Sequence, residues 1–265
     1  MTQSEVLYLT SWFENFTNRY TSRDLEIQAN LQYKKDHSQR VRENMLMIGA
    51  DLRHDTDQMK LAEVIGLFHD VGRFEQYARY HTFKDHLSED HAILGVSILE
   101  REQILTGRVN ESEIKIINES IVNHNQRVIR GTICGTTLKF CQMIRDADKL
   151  DIFDQIINFY ENPGKTPYLA IEKDHEDQRY SLDIIKGILS GEQISYSIVK
   201  YPLDIKLVRL SWLLDLTFPI ALKTARRKQY FERLKEFIPT TQDTLQVFRY
   251  IEQRLLQKVA ANKQF

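Results

Sequence analysis

The sequence predicts an all-α protein, and three observations carry this prediction. Only 10 of its 265 residues are Gly and 5 are Pro, so the chain contains few of the residues that form tight turns. No segment shows the alternation of polar and apolar residues that is typical of a strand. Apolar residues instead recur at helical spacing, as in the series Leu245, Phe248, Ile251, Leu255 and Val259.

Six helices are predicted in the first part of the chain, each from an apolar stripe and its capping residues. They cover about residues 4–20, 24–53 and 58–69, a segment that starts at 88, then 112–124, and a segment from 137 to beyond 148. Ser4 and Ser88 are the predicted N-caps of the first and fourth helices. Gly72 is predicted to end the third helix in a left-handed conformation.

The remainder of the chain is predicted to contain a long loop followed by further helices. The loop covers about residues 162–177, which include Pro163, Gly164 and Pro167. Helices are expected near 181–190, 203–217, 224–237 and 241–261. No change in composition marks a linker, so we expect one domain over residues 1–265, with a helical C-terminal elaboration over about 160–265.

Composition excludes several classes of protein. The formal net charge is −1 and the isoelectric point is about 6.7, which argues against nucleic acid or a membrane surface as the partner. Cys134 and Cys141 have neither the spacing of metal ligands nor that of a disulfide framework. The chain shows no signal-like N-terminus and no long apolar run, so we expect a cytoplasmic protein. The oligomeric state is left open.

Polar side chains interrupt the apolar faces of five predicted helices. They are His37, His69 with Asp70, His91, His124 and Asp148. His37, for example, lies four residues before Val41 on one helical stripe. A single histidine in such a position is usually a hydrogen-bonded core residue. A buried carboxylate, in contrast, costs several kcal/mol unless it is paired or bound to a metal.

The set of buried imidazoles and carboxylates predicts a bound cation, because no Lys or Arg is expected on the same faces. Imidazole and carboxylate without thiolate suit Fe, Mn, Zn, Co or Ni, and the sequence does not select among these metals. His86 is an alternative ligand to His91 if the helix register differs. We favour His91 because Gly95, on the same face, would allow another helix to approach closely.

In their order along the chain, these segments resemble the HD-domain superfamily of metal-dependent phosphohydrolases. The resemblance rests on "DHSQRV" with His37, "FHDVGRF" with His69 and Asp70, and "RDADKLD" with Asp148. "DHAILG" and "IVNHN", with His91 and His124, are similar to the extra histidines of the subset that holds two metal ions. The resemblance covers about residues 30–155, and residues 160–265 match no motif.

The resemblance implies an HD-domain helical bundle with additional C-terminal helices. It also implies a hydrolase that cleaves a phosphate ester or anhydride of a nucleotide or another small phosphorylated molecule with a metal-activated hydroxide. The implied ligands of one metal ion are His37, His69, Asp70 and Asp148. Asp70 would bridge to a second ion held by His91 and His124.

Four further residues are candidates for roles beside the metal ions. Arg73 stands where family members often carry Lys, and it is placed to hold a phosphate, with a solvent-facing arginine after a helix as the equally simple alternative. Lys149 could contact a phosphate, although a surface lysine is the favoured explanation. Asp146 could orient a ligand histidine, and a salt bridge explains it equally simply. His86 is the fourth, as the alternative ligand.

Other functions remain compatible with the same residues. A mononuclear nucleotidase would result if His91 and His124 were only structural. A related branch of the superfamily catalyses oxidative cleavage at a di-iron centre, which the ligands alone do not distinguish. A non-catalytic HD-like module that binds a ligand or partner is a third alternative, although such modules lose ligands and this chain keeps all six. The substrate itself is not defined by the sequence.

Overall fold

The computed structural model describes residues 1–162 and 177–261, without the side chain of Tyr196. Within these ranges the chain forms α-helices joined by turns and short 3-10 helices, and it contains no strand. The predicted all-α fold class is therefore confirmed. A search of the same ranges for a helix that combines the length and apolar character needed to span a membrane finds none.

The chain divides into two compact units, Met1–Asp151 and Ile152–Phe265. The first unit contains α1 (Gln3–Thr17), α2 (Leu25–Asp51), α3 (Thr56–Phe68), α4 (Gly72–Tyr80), α5 (His91–Arg101), α6 (Glu111–His124) and the first part of α7 (Gly135–Glu161). Helix α3 packs along α2 and also contacts α1 and α6. The expectation that residues 1–265 form one domain stays a prediction.

In the first unit, the starts of α1, α2, α3, α5 and α6 are fixed by side chains that accept backbone N–H bonds. Asp24 caps α2, in agreement with the helix start predicted at about this residue. The predicted caps of α1 and α5 were wrong. Thr2, not Ser4, caps α1, because the Thr2 hydroxyl and the Glu5 carboxylate form a reciprocal capping box. Asp90, not Ser88, caps α5, so this helix begins at His91.

The left-handed helix end predicted at Gly72 was also wrong. Helix α3 ends at Phe68, and Gly72 begins α4, a helix that was not predicted. Glycine is required here by the close approach of two backbones. A Cβ atom on Gly72 would lie 2.1 Å from the His91 carbonyl oxygen and 2.7 Å from the Gly95 nitrogen. Helices α4 and α5 therefore meet at Gly72 and Gly95, as expected for Gly95.

Aromatic side chains pack α1 against α3 and α4. The Trp12 ring meets the edge of Phe68 at a centroid distance of 5.8 Å, and Phe13 meets Phe74 at 6.0 Å. All four side chains are buried. Since Phe68 directly precedes His69, this cluster fixes the end of α3 from which His69 and Asp70 project.

Among its described residues, 152–162 and 177–261, the second unit contains the end of α7 and five further α-helices. They are α8 (Leu182–Ser190), α9 (Pro202–Ser211), α10 (Pro219–Arg227), α11 (Tyr230–Lys235) and α12 (Gln242–Ala261). The single helix predicted over 224–237 is two helices, because Gln229 adopts a left-handed conformation with φ of 54° between them. The helix predicted over 203–217 ends at Ser211 and continues only as a short 3-10 turn. Most of the loop predicted over 162–177 lies outside the described residues.

A buried carboxylate organises the start of α9. Asp204 is inaccessible to solvent, and it accepts hydrogen bonds from the backbone nitrogen atoms of Ser181, Lys200 and Tyr201 at 2.7, 2.9 and 3.1 Å. The Ser181 hydroxyl donates a fourth hydrogen bond at 2.7 Å. Asp204 is thus fully satisfied and joins the segments that precede α8 and α9.

Candidate metal centre

All six residues predicted as metal ligands converge in the first unit. His37 projects from α2, His69 and Asp70 follow α3, His91 begins α5, His124 ends α6, and Asp148 lies within α7. The histidines and Asp70 are buried, whereas the Asp148 side chain is 16% exposed. Five helices therefore direct polar side chains into one centre, and Asp148 is the most exposed of the six residues.

Asp70 lies between two pairs of histidines. Its Oδ2 atom is 3.5 Å from His37 Nε2 and 3.7 Å from His69 Nε2. Its Oδ1 atom is 3.1 Å from His91 Nε2 and 3.7 Å from His124 Nε2. Each oxygen of this one carboxylate thus faces a different pair. Asp148 Oδ1 lies beside the first pair, 3.2 Å from His37 Nε2 and 3.8 Å from His69 Nε2.

Each of the four imidazole rings is fixed in its own orientation by a hydrogen bond at Nδ1. His69 Nδ1 lies 2.8 Å from the Gly66 carbonyl oxygen, and His124 Nδ1 lies 2.6 Å from that of Ile121. The other two rings use carboxylates. His37 Nδ1 is 2.6 Å from Asp151, and His91 Nδ1 is 2.8 Å from Asp85. These oxygens only accept, so each ring carries a proton at Nδ1, and in the neutral form of the ring Nε2 has a lone pair that points into the centre.

The donor geometry fits metal ions. The two Nε2 atoms of the first pair are 3.2 Å apart, and those of the second pair are 3.1 Å apart. Two lone pairs at this distance repel each other unless a proton or a metal ion neutralises them. Histidine ligands of metal ions commonly donate their second N–H to a carbonyl or carboxylate oxygen, as all four rings do here.

Charges in the first pair also favour cation binding. Burial and the Lys34 ammonium lower the pKa of His37, but hydrogen bonds with Asp148 and Asp151 outweigh them and raise it to about 9. Burial lowers the pKa of the neighbouring His69 to about 3. In the protein without metal, His37 is therefore protonated and His69 is neutral, and the proton on His37 removes the repulsion between the two Nε2 atoms. A metal ion in the same place would displace that proton.

Lys34 is a residue of the centre that was not predicted. Its Nζ atom is 2.7 Å from Asp70 Oδ2, and its side chain is 14% exposed. Burial raises the pKa of Asp70, but Lys34, His69 and Arg73 lower it more, to well below its ordinary value. The expectation that no Lys or Arg shares the polar faces was wrong. Lys34 lies three residues before His37, a spacing that places both on one face of α2.

Asp151 and Asp85 were also missed. Asp151 follows Asp148 by three residues on α7, so helical spacing could have identified it as a partner of the same centre. Asp85 lies in a short 3-10 turn between α4 and α5, and no sequence pattern indicates where such a segment runs. Both carboxylates fix the orientation of a histidine, and their loss is expected to weaken metal binding.

Arg73 lies beside Asp70, but its guanidinium has protein partners. Nη1 donates to the Phe83 carbonyl oxygen at 2.6 Å and to Asp85 at 2.8 Å, and Nε lies 3.5 Å from Asp70 Oδ1. These contacts hold the segment that carries Asp85 against the centre. The phosphate contact expected of Arg73 stays a prediction.

The other candidate residues lie at different depths. Asp146 is buried within α7, and Lys149 is half-buried one residue after Asp148. Their expected roles stay predictions. His86 is exposed in the 3-10 turn, whereas His91 is buried in the centre. The structure therefore brings His91, and not His86, to the other candidate ligands.

A third group of possible ligands, Asp85, Asp90 and His91, lies next to this centre. It does not require a metal ion, because hydrogen-bond donors already occupy its carboxylates. Asn125 donates to Asp90 at 3.0 Å, and Asp85 accepts from Arg73 and from Gln76, the latter at 2.8 Å.

Arg145 anchors the helix end that carries His124. Its guanidinium donates to the carbonyl oxygens of Asn123, His124 and Arg127 at 3.1, 3.4 and 3.2 Å, and also to that of Gln126. These carbonyls lack partners within α6 because the helix ends there. Arg145 lies three residues before Asp148 on α7, so it fixes the distance between His124 and Asp148.

Comparison with known proteins identifies the family of the first unit. Residues 35–152 match the family model described as the HD domain. Neither a curated protein nor a solved structure matches the chain. The matched range includes all six predicted ligands, and two clusters within it could hold a metal ion: His37, His69 and Asp70, and Asp70, His91 and His124. Residues 35–152 therefore form an HD domain.

Proposed function

We propose that this protein is a metal-dependent phosphohydrolase with two metal ions, acting on a phosphate ester or anhydride of a nucleotide or another small phosphorylated molecule. The observation that carries the proposal is the position of Asp70. It presents one carboxylate oxygen to each of two histidine pairs, whose nitrogen atoms lie 3.2 and 3.1 Å apart. A shared carboxylate of this kind is suited to two neighbouring divalent ions.

We assign ligands to each ion from these contacts. One ion would be held by His37, His69, Asp148 and the Oδ2 atom of Asp70. The other would be held by His91, His124 and the Oδ1 atom of Asp70. The donors suit Fe, Mn, Zn, Co or Ni. Bound ions would polarise phosphoryl oxygens and lower the pKa of a coordinated water.

The remaining residues orient the ligands and direct the substrate. Hydrogen bonds at Nδ1 fix the four imidazoles before a substrate arrives, and burial of the histidines excludes bulk water from them. The partly exposed side chains around Asp70 include Asp148, Asp85, Lys34 and Arg73. Lys34 is the cation among them that contacts Asp70 most closely, so it is suited to meet an anionic phosphoryl group there.

Metal content tests the proposal. Protein purified without chelator and without added metal should contain about two ions per chain by elemental analysis. His124→Ala should reduce this to about one, whereas His86→Ala, a change at an exposed histidine, should leave it unchanged. The loaded wild-type protein should release phosphate from at least one member of a nucleotide and sugar-phosphate screen, and His37→Ala should not.

Three results would contradict the proposal. One ion in both wild type and His124→Ala would indicate a mononuclear centre. No ion in either protein, with none taken up on incubation, would indicate a binding module. Consumption of oxygen without release of phosphate would indicate a di-iron oxygenase.

A further inference from the structure

Lys34 occupies the carboxylate oxygen that the first metal ion would need. Its Nζ atom donates to Asp70 Oδ2 at 2.7 Å. The same oxygen faces His37 Nε2 at 3.5 Å and is the one assigned above to the first ion. Because Lys34 lies three residues before His37 on α2, its backbone is fixed relative to the centre and only its side chain can move.

We propose that Lys34 exchanges partners when metal binds. In the metal-free protein its ammonium neutralises Asp70; in the loaded protein it instead binds an anionic oxygen of the phosphorylated substrate. This inference rests on the proposed function, because it requires both a metal ion at Asp70 and a phosphate-containing ligand.

Charge gives the reason for the exchange. Without metal, Asp70 is a buried carboxylate that requires a cation, and Lys34 supplies it. A divalent ion in each half of the centre would outweigh the charges of Asp70 and Asp148. The ammonium would then face excess positive charge instead of an unneutralised carboxylate, and its contact with Asp70 would become unfavourable.

The surroundings of Lys34 allow this movement. The Lys34 side chain is 14% exposed and that of Asp70 is 4% exposed, so solvent reaches the lysine more readily than the carboxylate. Nζ also lies 5.6 Å from the centroid of the Phe83 ring. This cation–π contact can hold the ammonium close to the ring after it leaves Asp70. The flexible lysine stem can shift the ammonium without any change in α2.

Arg73 is less suited to this role. Its Nη1 atom already donates to Gln76, to the Phe83 carbonyl oxygen and to Asp85. Moving the guanidinium toward a substrate would break contacts that hold Asp85 against His91. Lys34 can turn toward a ligand without such a loss, since the partner that it leaves would be neutralised by metal.

Binding of Mn²⁺ and of inorganic phosphate tests the exchange, because the two affinities should change in opposite directions. Calorimetric titration of metal-free Lys34→Met should give about tenfold tighter Mn²⁺ binding than wild type, since a competing charged hydrogen bond is removed. The Mn²⁺-loaded variant should bind phosphate about tenfold more weakly. Lys34→Arg, which keeps the charge, should remain close to wild type in both titrations.

Lys35→Met is the matched control, because the Lys35 ammonium contacts Glu14 and Asn18 instead of the centre. It should leave both affinities unchanged. Lys34→Gln replaces Lys34→Met if the methionine variant does not fold. The proposal would be overturned if Lys34→Met, or its replacement Lys34→Gln, bound Mn²⁺ no more tightly than Lys35→Met does. It would also be overturned if the phosphate affinity of that variant were unchanged. A wild-type protein that binds none of Mn²⁺, Fe²⁺, Zn²⁺, Co²⁺ and Ni²⁺ would overturn the metal centre itself, and this result differs from both of the others.

Discussion

The close contact between α4 and α5 predicts a large effect of Gly72→Ala. The new Cβ would lie 2.1 Å from the His91 carbonyl oxygen and 2.7 Å from the Gly95 nitrogen, where ordinary contact begins at 3.4 Å. Both neighbours are backbone atoms, so no side-chain rotation can relieve the overlap. Helix α5 would have to move by about 1 Å, and overpacking of this kind costs about 1–3 kcal/mol. We expect Gly72→Ala to lower the unfolding free energy by about 3 kcal/mol, because the overlap outweighs the gain of up to about 1 kcal/mol in helix propensity.

Urea unfolding of three glycine variants measures this cost. Gly95→Ala would place its Cβ 3.3 Å from the Val71 side chain and 3.4 Å from the Gly72 nitrogen, so its net effect should lie within about 1 kcal/mol. A Cβ on Gly131 would meet nothing within 4 Å, and Gly131→Ala should change stability by less than about 0.5 kcal/mol. The predicted order of destabilisation therefore follows the order of the contact distances.

Metal content provides an independent measurement on the same variants. Because His91 is the first residue of α5, displacement of this helix in Gly72→Ala should also reduce occupancy of the half that contains His91 and His124. A Gly72→Ala protein as stable as Gly131→Ala, with the metal content of wild type, would refute the reasoning.

Three further predictions concern other parts of the chain. Asp204→Asn should lower the unfolding free energy by about 3 kcal/mol, because an amide cannot accept all four buried hydrogen bonds, and urea unfolding beside the exposed Asp183→Asn checks this. Arg145→Lys should lower the unfolding free energy by about 1–2 kcal/mol and weaken metal binding at His124, because an ammonium cannot reach all the carbonyl oxygens at the end of α6. Thermal unfolding and metal analysis test this beside the control Arg130→Lys, and equal values for the two variants would contradict it. Burial raises the pKa of the Cys141 thiol to about 11 from about 9, so the folded state favours the protonated thiol. The contribution of this thiol to the unfolding free energy is complete below pH 9 and is lost between about pH 9 and 11. Iodoacetamide at pH 8 should accordingly label exposed Cys134 while native Cys141 resists, and equal labelling by mass spectrometry would contradict this.

The features that could be predicted are those with local causes. The spacing of apolar residues is local, so the helices of the first unit were placed near their observed positions, and Asp24 was a sound boundary for α2. The same periodicity placed His37 and Asp148 on inward faces. Lys34 was recoverable by the same rule, because it precedes His37 by three residues, but it was overlooked.

The features that could not be predicted depend on contacts between distant segments. Gly72 follows α3 and has the local character of a helix end, yet its role is set by the approach of His91 and Gly95 from α5. The prediction of a stop at Gly72 also concealed α4, which starts there. Asp85 reaches His91 from a 3-10 turn whose course is determined by Arg73 and Gln76, and no periodic pattern precedes it.

The position of Asp70 between the two histidine pairs has a thermodynamic consequence for the proposed centre. Because one rigid carboxylate serves both pairs, an ion at Oδ2 orients the group for Oδ1 and also repels a second ion there. The two binding events are therefore linked. Whatever factor the first ion imposes on the affinity for the second, the second must impose on the first. If the centre binds two ions as proposed, a metal titration measures a coupling free energy as well as two affinities, and Asp70→Asn is the variant in which that coupling should change most.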